Sequence, residues 1–253
     1  MAKLPALIET LSRHDERDQS TLEHVARTVR EAGYIPTTKR GVGASGMTIG
    51  AATNLFLALN GCDAPKDAAR AVDRFRSLQL RELTAVAPEQ DDLQKLLTAE
   101  TFGVAIERLI DCSNSISKWL CEWLEANFDE RVSEAYKRDL MALNWSLLPI
   151  QFDVVLFRHP YGAQITLRRL YKRPASAVVS DDPDSPSRWR PASGDVIWRT
   201  EFNAEFVSDF DLQETGFYGR SKSRRITVAL PAKVLWDISR TLNGEDLEGG
   251  AVG

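Results

Sequence analysis

The chain has 253 residues, of which 43% are apolar and 27% charged, and carries a net charge of −4. That balance excludes wholesale disorder and leaves room for one large or two ordinary domains. No apolar run approaches the roughly 20 residues of a membrane span, and Met1-Ala2-Lys3-Leu4-Pro5 leads into an amphipathic stretch, so a cytoplasmic protein with no membrane partner is expected.

Leu4, Leu7, Ile8 and Leu11 follow the i, i+3, i+4, i+7 spacing of a first helix with one buried stripe. After the polar break Asp15-Glu16-Arg17-Asp18, Ser20 or Thr21 can cap a second helix with Leu22, Val25, Ala26 and Val29 inward. Gly33, free to take positive φ, ends it. A polar, glycine-rich run from Thr37 to Gly46 precedes a third helix, opened by Thr48 and carrying Leu55, Leu57 and Leu59. Pro65 suits the first turn of a fourth, predicted from Lys66 to about Leu80.

Between Asp91 and Trp145 three helices are predicted, with apolar clusters at Phe102, Ile106, Leu109 and Ile110, then Ile116, Trp119, Leu120 and Trp123, then Val132, Tyr136, Leu140 and Leu143. After Pro149 the pattern alternates: Phe152, Val154 and Leu156 mark a strand, His159-Pro160-Tyr161-Gly162 a turn, and Ile165, Leu167 and Leu170 the returning strand. Ser180 to Ser193 reads as a mobile loop; strands follow at Asp195 to Phe206 and Arg225 to Leu230. Pro231 starts a closing helix through Val234, Leu235 and Ile238, and Asn243 to Gly253 reads as an acidic disordered tail.

These elements predict an α+β protein. A winged helix-turn-helix occupies residues 1–81, a helical oligomerisation bundle 82–148, a small antiparallel sheet with its closing helix 149–242, and the tail 243–253. Charge is unevenly distributed: residues 1–81 carry twelve Lys/Arg against nine Asp/Glu, 82–150 six against thirteen, and 151–230 twelve against ten. The acid is concentrated in the middle, so the overall sign does not exclude DNA as a partner of the leading segment.

The segment Val25-Ala26-Arg27-Thr28-Val29-Arg30-Glu31-Ala32-Gly33-Tyr34-Ile35-Pro36, followed by Lys39-Arg40-Gly41-Val42-Gly43 and Met47-Thr48, resembles the DNA-binding domain of MerR-type regulators. In that family a recognition helix ends in Gly, an apolar pair and Pro, a basic wing follows, and an aromatic-Thr pair opens the next helix. The resemblance places Arg27 on the recognition helix, Lys39 and Arg40 in the wing, and Met47-Thr48 at the aromatic-Thr pair. Ala51 stands where the family has an acidic residue, and Thr28-Val29 where it has two aromatics. The chain is also similar to small regulators carried by bacterial prophages.

The residues support DNA contact on their own terms. His24, Arg27, Thr28 and Arg30 lie away from the apolar stripe of the second helix, and arginine is well shaped for a guanine edge or a phosphate. Thr38, Lys39 and Arg40 add two cations to a glycine-rich loop that can approach a phosphate backbone. Gly41-Val42-Gly43-Ala44-Ser45-Gly46 satisfies the letter of a dinucleotide fingerprint, but a helix and not a strand precedes it.

The aromatic stripe of Trp119, Trp123, Tyr136 and Trp145, extended by Leu120 and Leu124, is read as an interface through which copies of the chain associate. Arg168-Arg169 with Lys172-Arg173, and Arg220-Ser221-Lys222-Ser223-Arg224-Arg225, are read as the wet face or a turn of the sheet, with a second nucleic-acid surface as the alternative. Asp181, Asp182 and Asp184 lack metal-ligand spacing, and Cys62, Cys112 and Cys121 read as buried thiols. His14, His24 and His159 are far apart, and no P-loop, HExxH or GxSxG occurs, so no enzyme, cofactor or metal is expected. The sequence thus predicts a sequence-specific DNA-binding regulator of transcription, homo-oligomeric and bound to double-stranded DNA. The DNA-recognition subunit of a phage packaging terminase and a protein-interaction adaptor that never touches DNA are the alternatives.

Overall fold

The computed structural model describes residues 2–36, 46–85, 95, 98–128, 130–141, 149–158, 161–172, 196–207 and 227–245. Helix α1 (Leu4–Ser12) has Pro5 in its first turn and buries Leu7, Ile8 and Leu11. Helix α2 (Gln19–Glu31) buries Leu22, Val25, Ala26 and Val29, and its cap is Asp18 rather than Ser20 or Thr21. The Asp18 carboxylate accepts the Thr21 N–H at 2.7 Å, and the Ser20 and Thr21 hydroxyls donate to the same carboxylate. At the other end Gly33, at φ +86°, lets its own N–H reach the Arg30 carbonyl and the Tyr34 N–H reach that of Val29. Both bonds satisfy carbonyls the helix would otherwise orphan.

Helix α3 (Ile49–Gly61) is capped by Thr48, whose hydroxyl accepts the Ala51 N–H at 3.2 Å. It is apolar on almost every side: Ala51, Ala52, Leu55, Phe56, Leu57, Ala58 and Leu59 are all buried. Such a helix can only be central. Each of its large side chains contributes about 1.5–3 kcal/mol by leaving water. A single 3-10 turn (Pro65–Asp67) then leads into α4 (Ala68–Arg76).

The fourth helix does not reach Leu80. It stops at Arg76, and β1 (Gln79–Ala85) follows. Leu80 and Leu83 are three apart, which resembles helical spacing. In the strand, however, a bulge at Arg81 sets Leu80 opposite Phe206 and Leu83 opposite Ala204, two buried residues of one sheet face. The extra residue returns both leucines to the same side.

Helices α5 (Phe102–Asp111), α6 (Ser113–Asn127) and α7 (Glu130–Met141) match the three predicted between Asp91 and Trp145. Strands β2 (Ile150–Arg158), β3 (Tyr161–Lys172), β4 (Val196–Val207) and β5 (Thr227–Pro231) follow, then α8 (Lys233–Asn243). Together with β1 they form one antiparallel sheet in the order β1-β4-β3-β2-β5, and the whole is α+β. Arg158 pairs with Tyr161, so Tyr161 and Gly162 belong to β3 and not to the predicted turn. Residues 159–160 lie outside the described residues, as do the predicted loop 180–193 and all of the predicted tail beyond Glu245.

One sheet face meets the helices. Phe152, Val154 and Leu156 of β2 stand opposite Leu167, Ile165 and Ala163 of β3, all buried. Phe102 of α5 packs on Phe206 at 5.3 Å between ring centroids, and Trp236 of α8 packs on Phe152 at 5.6 Å. On the opposite face Gln164 and Thr166 donate to the Asn203 side chain at 2.7 and 2.9 Å.

The predicted boundary between residues 81 and 82 falls inside β1, and the leading helices share one hydrophobic core with α8. The Thr10 and Thr241 hydroxyls are 2.7 Å apart in a buried contact, and His14 Nε2 lies 2.7 Å from the Asp237 carboxylate. These pairs join α1 to α8.

The aromatic stripe is used within the chain. Leu120 and Leu124 are fully buried, and the Arg169 guanidinium lies 4.3 and 4.8 Å from the ring centroids of Trp119 and Trp123. Tyr136 packs edge-on against Phe128, which in turn meets Trp123. Trp119 and Tyr136 remain half-buried, and Trp145 lies outside the described residues. Arg169 itself, expected on a wet face, is 8% exposed because odd-numbered β3 positions point toward the helices. Cys62 and Cys112 are buried thiols, as expected, while Cys121 is half-buried.

The approach of α3 to α4 leaves no room for a side chain at Gly61: a Cβ there would lie 2.8 and 2.9 Å from Phe75 ring carbons and 3.0 Å from the Ala71 methyl. Gly61→Ala is expected to destabilise the fold by about 1–3 kcal/mol through overpacking, measured as a lower midpoint in urea with an unchanged slope.

Candidate nucleic-acid interface

The turn between α1 and α2 is fixed to the carboxy-terminal end of α3, and this sets how α2 is presented. Arg17 donates through Nη2 to the Leu59 carbonyl at 2.6 Å and through Nη1 to that of Cys62 at 3.3 Å. Arg158 of β2 donates to the Asn60 carbonyl through Nε and Nη2 at 3.0 and 2.9 Å and pairs with Asp63. Two guanidinium groups thus answer the orphan carbonyls and negative dipole end of the central helix. Asp15 orients the first of them, accepting from Arg17 Nε at 2.8 Å and from the Arg17 backbone N–H at 3.0 Å.

Past this anchor, α2 packs its apolar stripe inward against α1, α3 and α4. A second tie lies at its far end, where the Tyr34 hydroxyl bonds Asp73 of α4 and the Tyr34 carbonyl accepts from the Asn54 side chain at 2.9 Å. Among the described residues nothing covers the opposite face. His24, Arg27 and Arg30 are exposed there, and Thr28 is half-buried with its hydroxyl bonded to the His24 carbonyl at 3.1 Å. The four α2 residues singled out from sequence therefore share one side of one helix. Thr38, Lys39 and Arg40 lie outside the described residues.

Two acidic side chains temper this surface. Arg27 Nε binds Glu31 Oε1 at 2.7 Å, and Gln19 holds Glu23 at 2.9 Å. The hydrogen bond from Arg27, and then its charge, hold the Glu31 carboxyl below the usual carboxylate range. The pair is 68% and 61% exposed, so water and salt screen it and a phosphate or base edge can replace the carboxylate. Arg30 makes no hydrogen bond or ion pair among the described residues. Tyr34 and Asp73, which fix the angle of α2, were not identifiable from sequence because their contact spans 39 positions.

Other chemistry is sparse. His14 is committed to Asp237, and His159 is outside the described residues. Among the described residues no cluster of three or more His, Cys, Asp or Glu is placed to hold a metal, and no helix is long and apolar enough to cross a membrane. No known protein family, curated protein or solved structure matches the chain. The class it can be assigned is therefore the one its own architecture defines, α+β with a five-stranded antiparallel sheet.

Burial pushes the Asp15 carboxyl up, but the hydrogen bonds and charge of Arg17 together outweigh it and leave it below the usual aspartate value. A lowered folded-state value means stability that is complete above the unfolded value and is lost as pH falls through the folded one. Asp15→Asn is expected to cost about 1–3 kcal/mol at neutral pH. The gap to the parent should narrow from about pH 4 downward, read from urea unfolding at a series of pH values.

Proposed function

We propose that this protein is a sequence-specific DNA-binding regulator of transcription that lays the open face of α2 in the major groove. The observation that carries the reading is an amphipathic helix of 13 residues, braced behind by α1, α3 and α4, whose outer face offers His24, Arg27 and Arg30 with no other element over it among the described residues. A groove-reading helix needs such a division between an apolar back and a polar, partly cationic front. Arg27 and Arg30 read or clamp the duplex, with Thr28 and His24 beside them. Lys39 and Arg40 hold the phosphate backbone, and contacts of that kind set position rather than sequence. The MerR-like spacing of Arg27, Gly33, Ile35-Pro36 and Thr48 supports the same assignment.

The Arg27–Glu31 pair favours a second reading, a protein-interaction adaptor, because a surface of mixed sign suits a polar protein partner as well as a polyanion. The two separate by salt dependence, since displacement of counterions from DNA makes binding fall steeply with ionic strength.

Selection of bound sequences from a random duplex pool tests the proposal. The parent is expected to enrich a motif; Arg27→Ala and Arg30→Ala are expected to reduce discrimination at one or two positions by about tenfold, and Lys39→Ala to weaken all sequences alike with a shallower salt slope. Absence of any enriched motif, with negligible affinity even at low salt, overturns the regulator and favours the adaptor.

A further inference from the structure

A second row of exposed cations runs beside α2. Lys66, in the turn before α4, and Arg70 and Arg74 on α4 follow one another at intervals of four residues, and all three are exposed. At about 1.5 Å of rise per residue the row is about 12 Å long, on one side of the helix. Among the described residues Lys66 and Arg70 make no hydrogen bond or ion pair. Arg74 donates to the Tyr161 hydroxyl of β3 and lies 4.4 Å from that ring's centroid, a neutral partner that leaves its charge uncompensated. The carboxylates of this stretch do not cancel the row. Asp73 accepts the Tyr34 hydroxyl, Asp67 is half-buried, and among the described residues neither forms an ion pair.

Two ties set this row alongside α2. Ahead of α2, Arg17 holds the Cys62 carbonyl, shortly before the turn that carries Lys66; beyond its far end, Tyr34 bonds Asp73, the residue before Arg74. Helices α2 and α4 therefore run side by side in the same direction, and both pack on α3. Each turns an apolar stripe inward, Ala68, Ala71, Val72 and Phe75 in the case of α4, and carries its cations off that stripe. Packed helices lie about 8–10 Å apart between axes, and the major groove of DNA is about 12 Å wide. With α2 along the groove, the neighbouring helix therefore comes over one wall of it, where the phosphates of a single strand lie.

We infer that Lys66, Arg70 and Arg74 form a phosphate-binding row that holds one strand of duplex DNA by charge and takes no part in reading bases. The inference rests on the major-groove placement of α2 for the strand it names, and on the row's own charge and exposure for the partner.

Anisotropy titration of a random-sequence duplex with the full chain over a series of salt concentrations tests it. Lys66→Ala and Arg70→Ala are each expected to weaken binding about three- to tenfold at low salt and to flatten the log–log salt dependence by about one, and the double variant by about two. Neither side chain is bonded within the protein, so both variants keep the fold. The motif enriched from a random pool is expected to stay that of the parent. Arg138→Ala, an exposed cation of α7 whose loss changes the net charge equally, is expected to leave affinity and slope unaltered. Affinity and slope unchanged in the double variant, a loss matched by Arg138→Ala, or an altered motif overturns the inference. So does tighter binding of polyglutamate than of duplex at equal charge, which makes an acidic protein the partner. Failure of the α2 reading is distinct: a chain that enriches no motif and ignores Arg27→Ala, yet weakens with Lys66→Ala and Arg70→Ala, keeps the phosphate row. No duplex binding at low salt overturns both.

Discussion

A helix that is apolar on almost every side dictates the arrangement of everything around it. With Leu55, Phe56, Leu57 and Leu59 all buried, α3 has little surface to give to water, so other elements must surround it. Helices α2, α4, α5 and α8 and strand β2 each pack on it. Its carboxy-terminal carbonyls are then partly buried, and Arg17 and Arg158 arrive from two distant parts of the chain to satisfy them. Burial thus creates a polar demand, and the groups that meet it also fix the position of α2.

The same logic explains an arginine on the inner face of the sheet. Arg169 takes its place by register, since β3 positions of that parity point inward, and it is accommodated by the π faces of Trp119 and Trp123. Tryptophans that a sequence suggests for subunit contact serve here to line a cationic seat between α6 and the sheet.

Local structure was largely legible from the chain. The stripes of α1 and α2, the left-handed glycine after α2, the Thr48 cap and the alternation of β2 all depend on residues within a few positions of one another. The signals that misled were local ones interrupted by a distant partner. Leu80 and Leu83 read as helix because the bulge that aligns them exists only once β4 is alongside. Asp18 was passed over as a cap because Ser20 and Thr21 carry equally suitable oxygens, and only the backbone geometry at residue 18 decides among them. The outward placement of His24, Arg27 and Arg30 followed from the apolar stripe alone. Which carboxylate meets Arg27, and that α1 rests on α8, did not.

The contact of α1 with α8 also bears on how the protein is made. Thr10 and Thr241 are 231 positions apart, and His14 and Asp237 are 223. On a ribosome adding about 5–20 residues per second, the inner side of the first helix waits roughly 10–50 s for its partner to be synthesised. Until then the part of α1 that faces α8 has only α2 beside it, and the apolar surface it leaves uncovered is one a chaperone can hold.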